Sequence, residues 1–145
     1  MLIYLDNCCF NRPFDEQNQV RVLLETEAKL VVQERIREGS LDLAWSFMMD
    51  FENEANPFEE RRNSVSIWKH LASTNISESE SVIERAESII KHGIKPKDAI
   101  HLSCAIEAQC DVFLSTDKGI LNKANLISKL AIINPVDYNF NNNDD

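Results

Sequence analysis

The sequence predicts an α/β protein, a three-layer α/β/α sandwich around a central, mostly parallel sheet, on three observations. Short apolar runs suited to strands (Leu2 to Leu5, Leu41 to Ser46, Val112 to Thr116, Leu130 to Ile133) alternate with longer stretches whose apolar residues recur at helical spacing. The first and third runs are too short for helices and apolar enough for strands covered on both faces. Acids stand directly after these two runs, Asp6 and Asp117, where open parallel sheets bind their ligands.

Composition sets the limits. A length of 145 residues suits one domain, expected over residues 1–136, with an acidic, Asn-rich tail over 137–145. Hydrophobic residues at 43% and charged residues at 27% describe a folded globular protein rather than a disordered one. No run is long enough to span a membrane, and Met1 to Asp6 lacks the basic start and long apolar core of a signal peptide, so a cytoplasmic protein is expected. The four cysteines have no zinc-like spacing and read as reduced, mostly buried thiols. With three glycines, a nucleotide-cradling loop is not expected. A net charge of −9 excludes a surface that grips nucleic acid all over, though not a site where bound cations supply the positive charge.

In chain order, Leu2-Ile3-Tyr4-Leu5 is a central strand, and Asp6-Asn7 after it either starts a turn or carries chemistry. Asn11 to Asp15 reads as a loop. From Gln17 to Glu38, Val20, Leu23, Leu24, Ala28, Val31, Val32 and Ile36 mark the inner face of one or two helices, stopped by Gly39-Ser40. Leu41 to Ser46 alternates like a strand, and Ser46 can cap the helix Phe47 to Ala55. On that helix Glu52 flanks the apolar face, whereas Asp50 and Glu54 diverge toward solvent. Asn56-Pro57 breaks it. A further helix runs from Phe58 to about Leu71, where Arg61, Arg62, Lys69 and His70 form a basic cluster that could approach a phosphate backbone, although Glu59 and Glu60 beside them favour local helix salt bridges. Ser77 to His92-Gly93 is a helix with Val82, Ile83, Ala86, Ile89 and Ile90 inward. A short helix near Gly119 to Ala124 and a strand at Leu130 to Ile133 precede the tail.

Between them lies the most informative stretch, Lys95 to Gly119. Pro96 suits the first turn of a helix, and Asp98 sits where the helix dipole favours an anion. Asp98 shares its face with Leu102, Ala105 and Ile106, the face a helix turns toward the core, so its carboxylate needs a donor, a cation or a metal. Four carboxylates thus recur in matching places: Asp6, Glu52, Asp98 and Asp117. Gathered at one sheet edge they repel, and a divalent cation or protonation relieves the repulsion. Oxygen ligands favour Mg²⁺ or Mn²⁺ over zinc, and such ions serve hydrolysis of phosphodiesters.

These residues carry a resemblance. Tyr4-Leu5-Asp6-Asn7-Cys8-Cys9-Phe10-Asn11-Arg12-Pro13-Phe14-Asp15, Phe51-Glu52-Asn53 with Asn56-Pro57, Asp98-Ala99-Ile100-His101 and Ser115-Thr116-Asp117 resemble, in order, the four motifs of the PIN-domain nucleases. The resemblance implies a Mg²⁺- or Mn²⁺-dependent endoribonuclease. It assigns Asp6, Glu52, Asp98 and Asp117 as metal-binding, catalytic acids, with Asn7 or Thr116 supporting them through hydrogen bonds. Many small bacterial members are VapC-type toxins, which implies an RNA substrate, an antitoxin partner and a homodimer. Asp6-Asn7-Cys8 stands where many toxins have Asp-Thr-Ser or Asp-Thr-Asn, without the hydroxyl that orients the first acid. The alternative is a non-catalytic module of the same fold that docks a protein or RNA. An aspartate-nucleophile phosphatase is disfavoured, because no second Asp stands two residues after Asp6.

Overall fold

The computed structural model describes residues 1–141, with the side chains of Phe140 and Asn141 outside the description. Five strands form one parallel sheet: β1 (Leu2–Leu5), β2 (Asp42–Ser46), β3 (Thr74–Ile76), β4 (Val112–Leu114) and β5 (Ala131–Ile133), in the order β3-β2-β1-β4-β5. The helices are α1 (Asn7–Asn11), α2 (Val20–Glu38), α3 (Phe47–Glu54), α4 (Glu59–Lys69), α5 (Glu80–Ile90), α6 (Pro96–Glu107), α7 (Lys118–Leu121) and α8 (Pro135–Asn141). The sheet grows outward from β1 in both directions, so the chain changes direction between β1 and β4. The register there pairs Tyr4 with Phe113 and Leu5 with Leu114. Such a switch point opens a crevice at the carboxyl ends of the strands.

Each face of the sheet is covered, which gives three layers. Tyr4 stacks on Phe113 (5.2 Å between ring centres) and meets His101 of α6 on one face. On the other, Trp45 of β2 meets Phe10 of α1, which in turn contacts Trp68 of α4. Full burial of Ile3, Tyr4, Leu43, Phe113 and Leu114 explains why the central strands read as continuous apolar runs.

The expected helix from Gln17 is a single α2, closed by Gly39 in the left-handed conformation (φ 82°) with its N–H on the last carbonyls. Its inner face is rotated from the expected one. Ala28, Val32 and Ile36 are buried, but Val20, Leu23, Leu24 and Val31 are exposed, and Val22, Glu25, Lys29 and Gln33 face inward. The cause is Glu25, whose carboxylate accepts from Arg12 Nε and Nη2 (3.0 and 2.9 Å), Arg21 Nε (3.3 Å) and Asn134 Nδ2 (2.6 Å). Four donors turn this acid into the core, and the hydrophobic pattern yields.

Other differences have equally local reasons. Asn7–Asn11 is a short helix rather than a turn, capped by Asp6, and Arg12–Phe14 closes the following loop as a 3₁₀ turn. Arg61 and Arg62 do not pair with Glu59 or Glu60: they donate to the carbonyls of Phe14 (2.8 Å) and Asn56 (2.6 Å), and Lys69 pairs with Asp50 at 3.0 Å. The edge strand β3, polar and three residues long, carries no apolar run to announce it. The tail expected from Asp137 is instead largely helix: α8 buries Tyr138 and donates from Asn139 Nδ2 to the Ala28 carbonyl at 2.7 Å. Residues 142–145 of that expected tail lie outside the described residues. All four cysteines are free thiols, three of them buried. No described helix is long and apolar enough to cross a membrane.

Candidate metal centre

The crevice over β1 and β4 is a cleft of about 650 Å³ lined by Asn7, Glu52, Ala55, Asn56, Lys95, Pro96, Lys97, Asp98 and Asp117. Three of the four sequence-predicted acids therefore share one cleft. The fourth, Asp6, is buried, with its charge felt by Asp98.

Asp6 follows β1 directly, its N–H bonded to the Leu114 carbonyl (2.9 Å), so the β1–β4 ladder fixes its backbone. Its Oδ1 accepts from the Asn7 N–H (2.9 Å) and its Oδ2 from Ser115 Oγ (2.9 Å) and the Cys8 thiol (3.3 Å). Burial pushes its carboxyl above the ordinary range, against the charge of His101 and the bond from Ser115. Ser115 and Cys8 thus do the orienting expected of the hydroxyl this chain lacks after its first acid.

Glu52 reaches the cleft from α3, whose first turn is capped by Ser46 Oγ accepting from the Met49 N–H, as the sequence predicts. Glu52 Oε1 lies 2.8 Å from His101 Nε2, and Oε2 accepts from Asn7 Nδ2 at 3.1 Å. Burial raises its pKa, but His101, Asn7 and the charge of Lys97 outweigh burial and hold the carboxyl below its usual range. Correspondingly, burial lowers the His101 pKa, while Glu52 and the charges of Asp6 and Asp98 carry it above its ordinary value.

Asp117, partly buried, caps α7 by accepting from the Gly119 N–H at 2.7 Å. The approach is close enough that a Cβ at Gly119 would come within 3.1 Å of Asp117 Oδ1. Asp98 stands in the first turn of α6 and differs from the other three. Among the described residues its carboxyl has no hydrogen-bond or ion-pair partner. Burial and the charges of Asp6, Asp117 and Glu52, partly offset by His101, push it up to about 6.

Of the two supporting residues, Asn7 contacts Glu52 directly. Thr116 does not reach an acid with its hydroxyl. Its carbonyl accepts from Arg21 Nη2 at 2.9 Å, which ties the β4–α7 turn to the Glu25 cluster on α2. The hydroxyl on Asp6 belongs to Ser115, one residue earlier. Sequence reasoning also passed over His101, although it lies one turn from Asp98 on the same helix and the spacing pointed to it. Glu25 carried no readable signal, since acids on a long helix usually face solvent.

Among the described residues, no group of three or more His, Cys, Asp or Glu side chains is arranged to hold a metal ion. Asp6, Glu52 and Asp117 are each drawn to a local donor, as mutually repelling carboxylates are. The donor set nonetheless fits a hard divalent cation: it is carboxylate oxygen throughout, and Asp98 has no hydrogen-bond or ion-pair partner among the described residues and a repulsion that His101 offsets only in part. His101 is turned toward Glu52, and Cys8 donates to Asp6, so neither offers a free soft ligand.

No curated protein matches the chain significantly in sequence. Among solved structures, a chain of VapBC2 from Rickettsia felis, bound to a DNA fragment from their promoter, is similar in fold with a TM-score of 0.58 and 13% identity. The match covers 92% of this chain and 98% of that one. The family model described as the PIN domain matches residues 3–126, a span holding β1 through β4 and all four acids, and the chain therefore belongs to the PIN domain family.

Proposed function

We propose that the protein is a divalent-metal-dependent endoribonuclease whose Asp6, Glu52, Asp98 and Asp117 hold Mg²⁺ or Mn²⁺. The observation that carries this reading is Asp98, a partly buried carboxyl at the cleft with no hydrogen-bond or ion-pair partner among the described residues, raised by burial and by the charges of Asp6, Asp117 and Glu52. When bound, the ion supplies Lewis-acid activation of water and neutralises charge at the scissile phosphodiester. The chain's own residues do the rest. Ser115 and Cys8 orient Asp6, His101 and Asn7 orient Glu52, and the Gly119 N–H orients Asp117, so that little reorganisation is left for the reaction. Lys95 and Lys97 at the rim offer the positive charge an RNA backbone requires.

Family membership supports the nuclease class. The similar chain from a VapBC complex supports reading this protein as the toxin of such a pair, held by an antitoxin; that it is a cytoplasmic homodimer is part of the same proposal. Asp6→Asn and Asp98→Asn should each lower Mn²⁺-dependent cleavage of a fluorogenic RNA at least about 10³-fold while leaving the circular dichroism spectrum native. Undiminished cleavage in either refutes the assignment. A second reading, a PIN fold kept as a binding module, is favoured by the net charge of −9 and by the absence of a prearranged ligand group among the described residues. Calorimetry separates the two: Mn²⁺ uptake lost in Asp98→Asn counts against the module.

A further inference from the structure

From Glu52 of the cleft a line of polar groups runs inward through His101 to two buried hydroxyls to which the proposed function gives no role. Asp6, directly after β1, is buried with its charge felt at Asp98, and Tyr4, two residues earlier, is fully buried. On α6, Asp98 reaches the cleft, and His101, one turn later, is also fully buried. Tyr4 Oη lies 2.6 Å from His101 Nδ1 and 2.6 Å from Ser46 Oγ, and His101 Nε2 lies 2.8 Å from Glu52 Oε1. The line Ser46–Tyr4–His101–Glu52 thus joins β2, β1, α6 and α3, with three members wholly inside the protein.

Burying a phenol, a hydroxyl and an imidazole is costly unless each is bonded, and here they bond to one another. Phenylalanine at position 4 would keep the stacking on Phe113 and dispense with the buried hydroxyl. The hydroxyl does something packing alone would not. A neutral imidazole carries its proton on one nitrogen, and the bond at the other decides which. With Nδ1 accepting from Tyr4, the proton is on Nε2 and points at Glu52. With the proton on Nδ1, the bare Nε2 would face a carboxylate, and two lone pairs would repel.

We infer that Tyr4 is a positioning residue, whose buried hydroxyl donates to His101 Nδ1 and so keeps the Nε2–H aimed at Glu52, holding that carboxylate in place for the ion. Ser46 completes the line from the other side: its Oγ lies against Tyr4 Oη while accepting the Met49 N–H that caps α3, the helix carrying Glu52. This inference rests on the reading of Glu52 as one of the acids that hold the metal.

The test has a metal-free arm and a metal arm. In the full chain with EDTA, at a pH high enough for neutral imidazole, side-chain ¹⁵N spectra of His101 should show a protonated Nε2 and an unprotonated Nδ1. Tyr4→Phe should raise the share of the Nδ1-protonated tautomer, against the pull of the Glu52 carboxylate on the Nε2–H. By calorimetry, His101→Leu should weaken Mn²⁺ binding roughly 10- to 100-fold, the usual cost of losing a partner of a metal ligand. Tyr4→Phe, acting one step further away, should weaken it by about threefold. His101→Gln, whose amide N–H can replace the ring Nε2–H, should recover part of the loss. A wild-type His101 protonated on Nδ1 and bare on Nε2 overturns the inference, as does a Tyr4→Phe chain that loses thermal stability but keeps the wild-type tautomer and Mn²⁺ affinity. A wild-type chain that takes up no Mn²⁺ refutes the metal reading instead, and the tautomer arm still decides the role of Tyr4.

Discussion

At the scale of single residues, the state of Asp98 links the site to the stability of the whole protein. Its carboxyl titrates at about 6 in the folded chain and near 3.9 when unfolded, so the native state binds the extra proton. The metal-free protein should therefore lose stability as pH rises from about 4 through about 6. Replacing the charge with an amide should return it. Asp98→Asn in EDTA at pH 7.5 should be more stable than wild type by about 1 kcal/mol, less than the shift at face value because the carboxyl is only partly buried and is screened by solvent. Thermal melts should show this as a gain of about 3 °C that shrinks toward pH 4. An unchanged or lower melting temperature at pH 7.5 contradicts it. The four acids were legible in the sequence because each stands at an element end or on an inward face where a lone carboxylate is costly. Their supporters were less so. Ser115 and Thr116 are adjacent hydroxyls at the end of one strand, and nothing but the pleat decides which of them reaches Asp6. His101 needs a partner on another helix before its role shows.

At the scale of elements, apolar spacing located the long helix and four of the five strands but failed where polar groups decide orientation. The α2 helix shows why. Its apolar residues fit two faces, and the choice between them is made by Glu25, which gathers Arg12, Arg21 and Asn134 from distant parts of the chain. No local pattern carries such information. The consequence is measurable with neighbouring valines. Val32→Ala, at a fully buried position, should cost about 1–3 kcal/mol of unfolding free energy, whereas Val31→Ser, at an exposed one, should stay within about 0.5 kcal/mol. Denaturant titration distinguishes this orientation from the one the spacing suggests, in which both positions would face the core. The β3 strand and α8 were missed for the opposite reason: both are polar in composition and form because an existing surface accepts them. The β3 strand pairs with β2 from Ala44↔Thr74 to Ser46↔Ile76, and α8 is tied to α2 through Asn139.

At the scale of the molecule, the strand order explains how residues more than a hundred positions apart meet. Because β1 and β4 are neighbours at the point where the chain changes direction, the acids that follow them come to one end of the sheet, Asp117 lining the crevice and Asp6 buried with its charge felt at Asp98. The crossovers bring α3 and α6 to the sides of the crevice with Glu52 and Asp98. Alternating strands and helices made this layout readable in outline, although the order of the strands was not. The same scale sets the terms for RNA. With a net charge of −9 and two lysines at the cleft, the proposed RNA substrate would have few of its phosphates contacted. Binding of single-stranded RNA by the Asp98→Asn chain should therefore weaken with salt on a log–log slope no steeper than about −2. A much steeper slope would mean a larger cationic surface than the cleft provides. The central claim, that four acids converge to hold a divalent cation, is tested most directly by anomalous diffraction at the manganese edge on crystals grown with Mn²⁺. The expected result is a peak in the cleft bounded by Glu52, Asp98 and Asp117, lost in Asp98→Asn. No peak there at saturating Mn²⁺, or one bound by other residues, would contradict it.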